Sequence, residues 1–275
     1  MIDRTGHNEL FDLANVISER DESILRHIQQ CKYMTTGQIQ RVFYTESSSS
    51  RSALRLANRE LARLRDRSLI QSLERRIGGI RGGSGTYIWT LTQTGVRLLA
   101  FKDGNPQKSR SRFQEPSLIF LTHTLAITEL DVLLREMAKT TSVELSCIQH
   151  EPNCWRRYMG LHGVSSCLRP DLLAITINEE YVDHWFFEVD LATETPACVV
   201  RKCEQYLGYY RSGEEQKAHG VFPRVVWIVP DNKRKNILQK HIRGALPQRV
   251  RDIFSVIVMD EFAGLITQDL TEEKA

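Results

Sequence analysis

Apolar residues in the first quarter of the chain recur three and four positions apart, the spacing of helices buried along one side. Ile24, Leu25, Ile28 and, more weakly, Cys31 predict a first amphipathic helix. Met34-Thr35-Thr36 supplies a cap, and Ile39, Val42 and Phe43 form the apolar side of a short second helix. Ser47 to Ser50 break the chain and open a third helix, Arg51 to Arg67. Leu54, Ala57, Leu61 and Leu64 are expected on its buried side, with Arg51, Arg55, Arg59 and Arg63 stepping along roughly the opposite side. Met1 to Ser18 is expected to be a short leading helix or an arm.

The period then shortens to two. Leu69 to Glu74 reads as a strand, and Tyr87, Trp89 and Leu91 alternate as its return strand. Between them Arg75 to Gly85 holds five glycines and the arginines Arg75, Arg76 and Arg81. No phosphate-loop signature is present, so this tip is a hairpin end rather than a nucleotide cradle. Lys102 to Ser117 lacks periodicity and carries Gly104, Pro106 and Pro116, which predicts a linker. Leu118 to Met137 returns to helical spacing, with Leu118, Leu121, Leu125, Leu130, Leu133 and Leu134 as its buried side. Val143 to Ile148 predicts a strand and Asn153 to Ser166 an irregular loop. Leu172 to Ile175 and Trp185 to Leu191 are short apolar runs flanking Asn178-Glu179-Glu180, the pattern of a hairpin. A helix from about Pro196 to Arg211, a strand at Val225–Val229, a basic helix at Lys233–Ile242 and a last strand at Phe254–Met259 complete the chain.

Composition narrows the class. At 275 residues, with 41% hydrophobic and 26% charged, the chain is globular and long enough for two domains. No apolar run reaches the length of a membrane span, and no signal segment leads the sequence, so a cytoplasmic protein is expected. The six cysteines form no C-x-x-C pair. His150, Cys154, His162 and Cys167 are close in sequence, but scattered reduced thiols explain them better than a metal site. The net charge of +3 is unevenly spread: residues 1–112 hold 19 Lys+Arg and 11 Asp+Glu, a net of +8, leaving −5 for the rest. A basic front and an acidic rear point to a nucleic-acid-binding module joined to something else.

The candidate chemistry follows that division. In the front, the outward arginines Arg51, Arg55, Arg59 and Arg63, the cap residue Ser49 and the tip residues Arg75, Arg76 and Arg81 are the expected DNA contacts. Helix, helix, arginine-rich helix and a hairpin with a basic glycine-rich tip resemble a winged helix-turn-helix domain. The resemblance implies that the third helix enters the major groove and the hairpin touches the backbone or minor groove. In the rear, Asp171 enters one strand while Glu188 and Asp190 leave the next, two residues apart on one side. Carboxylates gathered at a sheet end repel one another unless a cation sits among them, and oxygen ligands favour Mg²⁺ or Mn²⁺. This Pro170-Asp171 and Glu188-Val189-Asp190 constellation resembles the PD-(D/E)xK nuclease fold. There an acid pair binds the metal and a lysine orients the attacking water. Asp190 occupies the lysine's place in this sequence, and Lys202 on the following helix is the candidate replacement. The expected catalytic set is Asp171, Glu188, Asp190 and Lys202, the first three as metal ligands. Tyr206, Tyr209 and Tyr210 lie at helical spacing and read as packing, with a covalent nucleophile as the alternative role.

Taken whole, the chain resembles the replication-relaxation family of plasmids and other mobile elements. The matching pieces are Leu91-Thr92-x-x-Gly95, Leu121-Thr122-His123-Thr124-Leu125-Ala126, Leu168-Arg169-Pro170-Asp171, Glu188 to Glu194, and Lys202-x-x-x-Tyr206. Two domains are expected: an α+β winged helix-turn-helix domain at residues 20–101 and an α/β PD-(D/E)xK, restriction-endonuclease-like domain at 118–275. An arm at 1–19 and a linker at 102–117 complete the organisation. The resemblance implies a sequence-specific double-stranded DNA-binding protein acting in replication initiation or DNA relaxation, by metal-dependent nicking. The alternative is a non-enzymatic regulator or origin binder whose rear domain serves dimerisation or partner recruitment. A homodimer is expected by analogy with winged-helix proteins that read palindromes.

Overall fold

Side-chain caps set where the early helices begin. Ser18 accepts from the Asp21 amide (3.1 Å) while Asp21 accepts from the Ser18 amide (2.9 Å), a reciprocal box that starts α2. Thr35 and Gln38 do the same for α3, and Ser49 caps α4 through the Ser52 amide. The computed structural model describes residues 6–46, 49–73, 87–105, 114–160, 163–178 and 181–267. In order the first elements are α1 (His7–Val16), α2 (Glu19–Cys31), β1 (Met34–Thr35), α3 (Thr36–Phe43), α4 (Ser50–Asp66), β2 (Ile70–Ser72), β3 (Ile88–Leu91) and α5 (Gln93–Lys102). Of the segment expected as a short leading helix or an arm, His7–Val16 is helical, and Leu10 and Ile17 are buried in the core.

β1, β3 and β2 form an antiparallel sheet in that order. The two-residue β1 has no sequence signal of its own; its pairing with Ile88 and Trp89 creates it. Ile24, Leu25, Ile28, Ile39, Leu61, Leu64, Leu98 and Leu99 fill the core beneath. In α4 the buried stripe is Ala53, Ala57, Leu61 and Leu64, whereas Leu54, expected inside, is 41% exposed. Ala53 takes the inward place because four-residue steps from Ala57 and Leu61 lead back to 53, not 54. At the entry to α5 the Thr92 amide donates to the Leu69 carbonyl (3.0 Å). One turn on, a Cβ on Gly95 would lie 2.2 Å from that same oxygen. Only glycine fits so close a backbone approach.

The remaining elements are α6 (Leu118–Thr140), β4 (Glu144–His150), β5 (Arg156–Met159), β6 (Ser165–Leu168), β7 (Leu172–Ile177), β8 (Val182–Val189), α7 (Pro196–Ser212), α8 (Glu214–His219), β9 (Arg224–Val229), α9 (Asn232–Ala245), a 3-10 helix (Gln248–Ile253), β10 (Phe254–Val258) and α10 (Phe262–Thr267). The chain divides into two units, Met1–Val132 and Leu133–Ala275, so the division falls inside α6 rather than before it. The first half of α6 packs into the first unit: Leu121 and Leu125 cluster with Leu73 and Ile88, and Thr128 donates to the Tyr33 carbonyl (3.1 Å). Leu118, expected to be buried, is 55% exposed at the start of the helix.

The second unit is built on a five-stranded mixed sheet, β10-β9-β8-β7-β4. β4, β7 and β8 are antiparallel; β8, β9 and β10 are parallel. The run Trp185-Phe186-Phe187 is wholly buried because β8 is central and covered on both faces. Phe186 packs with Val199, Cys203 and Tyr206 of α7 and Leu238 and Ile242 of α9. Phe187, on the opposite face, meets Phe262 of α10. The segment expected as an irregular loop forms a hairpin instead, with β5 paired to β6. Its alternation is short and polar, so it carried little apolar signal.

Candidate functional site

In the first unit the chemistry lies on α4. Arg51 and Arg55 are exposed and have no acidic partner among the described residues. The Arg59 side chain is 72% exposed, with Glu60 at 3.5 Å. Arg63 is placed differently. Its guanidinium holds both oxygens of Asp21 (2.7 and 2.8 Å) and also pairs with Glu60, tying α4 to α2. Burial works against the Asp21 charge, but the Ser18 amide and Arg63 outweigh it and keep this carboxyl below its ordinary pKa. The outward side of α4 therefore presents Arg51, Leu54, Arg55, Asn58 and Arg59, spaced three and four apart. Sequence periodicity places Leu54 on the buried side and does not single out Asn58. Ser49 is exposed at the helix start. Arg75, Arg76 and Arg81 lie outside the described residues.

In the second unit the acids sit where β7 begins and β8 ends. Register places Leu172 opposite Phe187, which brings Asp171 alongside the Glu188–Val189 peptide. The Asp171 carboxylate accepts from the Val189 amide (2.8 Å). Behind it, the Cys154 thiol donates to the Pro170 carbonyl (3.0 Å); burial pushes that thiol up to about 12, keeping it protonated as a donor. Asp171, Glu188 and Asp190 are all buried, at 7%, 1% and 4% exposure.

Glu188 faces α7, whose Lys202 and Tyr206 stand one turn apart on the side turned to the sheet. The Lys202 ammonium bonds one oxygen of Glu188, and the Tyr206 hydroxyl donates to the other (2.5 Å). Burial and, after it, neighbouring Asp171 push the Glu188 carboxyl up to about 8 against the pull of Lys202. Burial opposes the Lys202 charge too, but Glu188 and Asp171 more than offset it, so the ammonium keeps its proton more firmly than usual. The Tyr206 phenol is held well above its ordinary pKa by burial and by Glu188. Such a phenol is a hydrogen-bond donor to the acid, not a ready nucleophile.

Asp190 belongs to a different pairing. Arg234 of α9 grips both of its oxygens (Nε at 2.5 Å, a terminal nitrogen at 3.1 Å) and also donates to the Glu194 carbonyl (2.7 Å). The Ala192 amide, in a turn with φ of 58°, donates to Asp190 as well (3.0 Å). Thus Asp171, Glu188 and Lys202 come together, while Asp190 is held by Arg234. Nothing in the local pattern foretold Arg234, which lies on the helix after the next strand. Among the described residues, three ligand-type side chains converge within 4.8 Å only at His27, Cys31 and Asp131 in the first unit. There a direct 2.9 Å bond between His27 and Asp131 accounts for the burial of both. None of the six cysteines is in a disulfide.

The protein is thus an α+β chain with an arginine-faced helix in one unit and, on a mixed sheet in the other, two neighbouring buried acids, one of them paired with a lysine. It belongs to the replication-relaxation family, whose model matches residues 25–225. No curated protein matches the sequence. Among solved structures, the restriction endonuclease FokI bound to DNA is similar at a TM-score of 0.28 and 8% identity, over 98% of this chain and 73% of that one. Likeness so faint carries no argument. Among the described residues no helix is long and apolar enough to cross a membrane.

Proposed function

We propose that this protein binds double-stranded DNA through α4 and acts in replication by nicking at Asp171, Glu188 and Lys202. The order α2, β1, α3, α4, β2, β3 supports reading the first unit as a winged helix-turn-helix domain with α4 in the major groove. Arg51 and Arg55, which have no acidic partner among the described residues, then meet phosphates or base edges, beside the hydrogen-bonding Asn58 and the apolar Leu54. The order α6, β4, β7, β8, α7, β9 supports a PD-(D/E)xK-like second unit.

The single observation that carries the nicking site is the reach of Lys202 from α7 to buried Glu188 beside Asp171, which restores the lysine missing at position 190. The donor set fits Mg²⁺ or Mn²⁺: two neighbouring buried carboxylates, one of them raised by burial and by the other's charge in spite of Lys202. Asp171 and Glu188 would hold such an ion, which supplies Lewis acidity at a phosphate oxygen and a more acidic water. Lys202 presents a fixed cation for charge developing on the phosphate. Tyr206 orients Glu188. Asp190 is no ligand in this reading, because its oxygens are committed to Arg234 and Ala192.

A second reading rests on Glu188 itself. Both of its oxygens already accept protein hydrogen bonds, as in a structural network, which favours a DNA binder without nicking. Supercoiled plasmid incubated with Mg²⁺ or Mn²⁺ separates the two. Wild type should yield open circles, while Lys202→Met and an Asp171→Ala, Glu188→Ala double variant should not. Intact supercoils with wild type, under conditions where it binds the same DNA, leave the binder alone standing.

A further inference from the structure

A cavity of about 420 Å³ opens among the first residues of β9 and β10, the side of α9 and the 3-10 helix. Arg224, Arg243 and Arg251 line it, with Gln239 and Ser255 beside them and Asp252 as the carboxylate on its wall. Three guanidiniums on one concave surface repel each other unless an anion sits between them. None of the three is ion-paired among the described residues, and Asp252 neutralises none of them.

Two of the arginines are held ready. The Arg251 Nε donates to the Leu246 carbonyl (3.0 Å), which fixes the plane of the fork and leaves its terminal nitrogens without a protein acceptor among the described residues. Arg224 lies over the ring of buried Trp185, 5.3 Å from its centroid, so that stacking anchors it. Arg243 is exposed on α9. Planar forks of this kind match tetrahedral phosphate oxygens two at a time. Gln239 and Ser255 add neutral donors. The cavity is larger than one phosphate needs and lies within the range of small-ligand pockets. Apart from Arg224 and the Trp185 it stacks on, every residue named here follows position 225, where the family match ends.

We propose that this cavity is a binding site for a phosphate-rich anion, presented either by a nucleic-acid strand or by a free nucleotide. The site is separate in chemistry from the acid pair, and its test does not need nicking. Pyrophosphate is the first probe, titrated into the full-length protein at constant ionic strength while tryptophan fluorescence and heat are followed. Trp185 under Arg224 supplies the optical signal. Wild type should show saturable binding. Arg243→Glu, on an exposed side chain in no ion pair among the described residues, should fold normally and bind at least about tenfold more weakly. Arg251→Lys keeps the charge but loses the fork, and should weaken binding by less. Displacement of pyrophosphate by ATP alone identifies a nucleotide site; displacement by a short oligonucleotide alone identifies a strand site, and either result supports the proposal. A non-saturable response, unchanged affinity in Arg243→Glu, or displacement by neither competitor overturns it.

Discussion

The two units handle charge in opposite ways. On α4, Arg51, Arg55 and Arg59 point outward, and Arg51 and Arg55 have no acid beside them among the described residues. In the second unit the decisive charges are inside: Glu188 with Lys202, Asp190 with Arg234, and Glu215 with Arg156 and Tyr209. Water solvates the first set at little cost, so those side chains stay available to a ligand. Desolvation makes the second set expensive unless each charge has a partner in place. The contrast teaches that the same residue types, read as a charge run in sequence, stay open to a ligand when exposed and are locked into fixed pairs when buried.

The sharpest way to break this contrast is to leave one buried charge alone. Arg234→Ala strands Asp190 and should destabilise the protein by about 3–5 kcal/mol in denaturant unfolding. Restoring much of that loss by adding Asp190→Ala would show that the partnerless charge, rather than lost packing, is responsible. A loss under about 1 kcal/mol in the single variant would move the pair to the surface class.

Next in size is the pH response of Glu188. Its folded pKa, about 8, lies above the ordinary value of 4.5, so its contribution to stability is full below about 4.5 and is lost as pH rises through 8. Metal-free wild type should therefore melt at falling temperature between pH 5 and pH 9. Glu188→Gln should remove that part of the slope. An unchanged slope in the variant would place the titration elsewhere. Metal affinity, if the ion sits here, should run the other way and rise over the same interval, since the ion needs the carboxylate.

On the exposed side the effects move from folding to binding. Arg55→Ala and Arg59→Ala should each lower the slope of log affinity for DNA against log salt by about 1, with unfolding midpoints unaltered. Equal slopes in variant and wild type would take α4 off the DNA. Smallest of all, Arg65→Ala breaks an exposed pair with neighbouring Asp66 and should change stability by no more than about 0.5 kcal/mol. A larger loss would mean that exposure is a poor guide to which charges matter here.

Sequence periodicity was enough for most elements, because the helices α2, α3, α4 and α6 and the strands β7 to β9 bury regular apolar stripes. It misplaced Leu54 by one position, since two candidate stripes run side by side in an alanine- and leucine-rich helix. It passed over β1 and the β5–β6 hairpin, which are too short or too polar to announce themselves and exist through their partners. The division inside α6 was equally hidden, because both halves of that helix are apolar. Of the site, Asp171, Glu188 and Lys202 were legible as residue types at plausible spacing. Arg234, which removes Asp190 from that group, was not, because a guanidinium on a helix after an intervening strand leaves no mark near residue 190.

The close approach at Gly95 has a genetic consequence. The obstacle to a larger residue is the peptide oxygen of Leu69, which cannot be trimmed by changing any side chain. A selection for restored function starting from Gly95→Ala should therefore return glycine at 95 itself, with few or no compensating changes elsewhere.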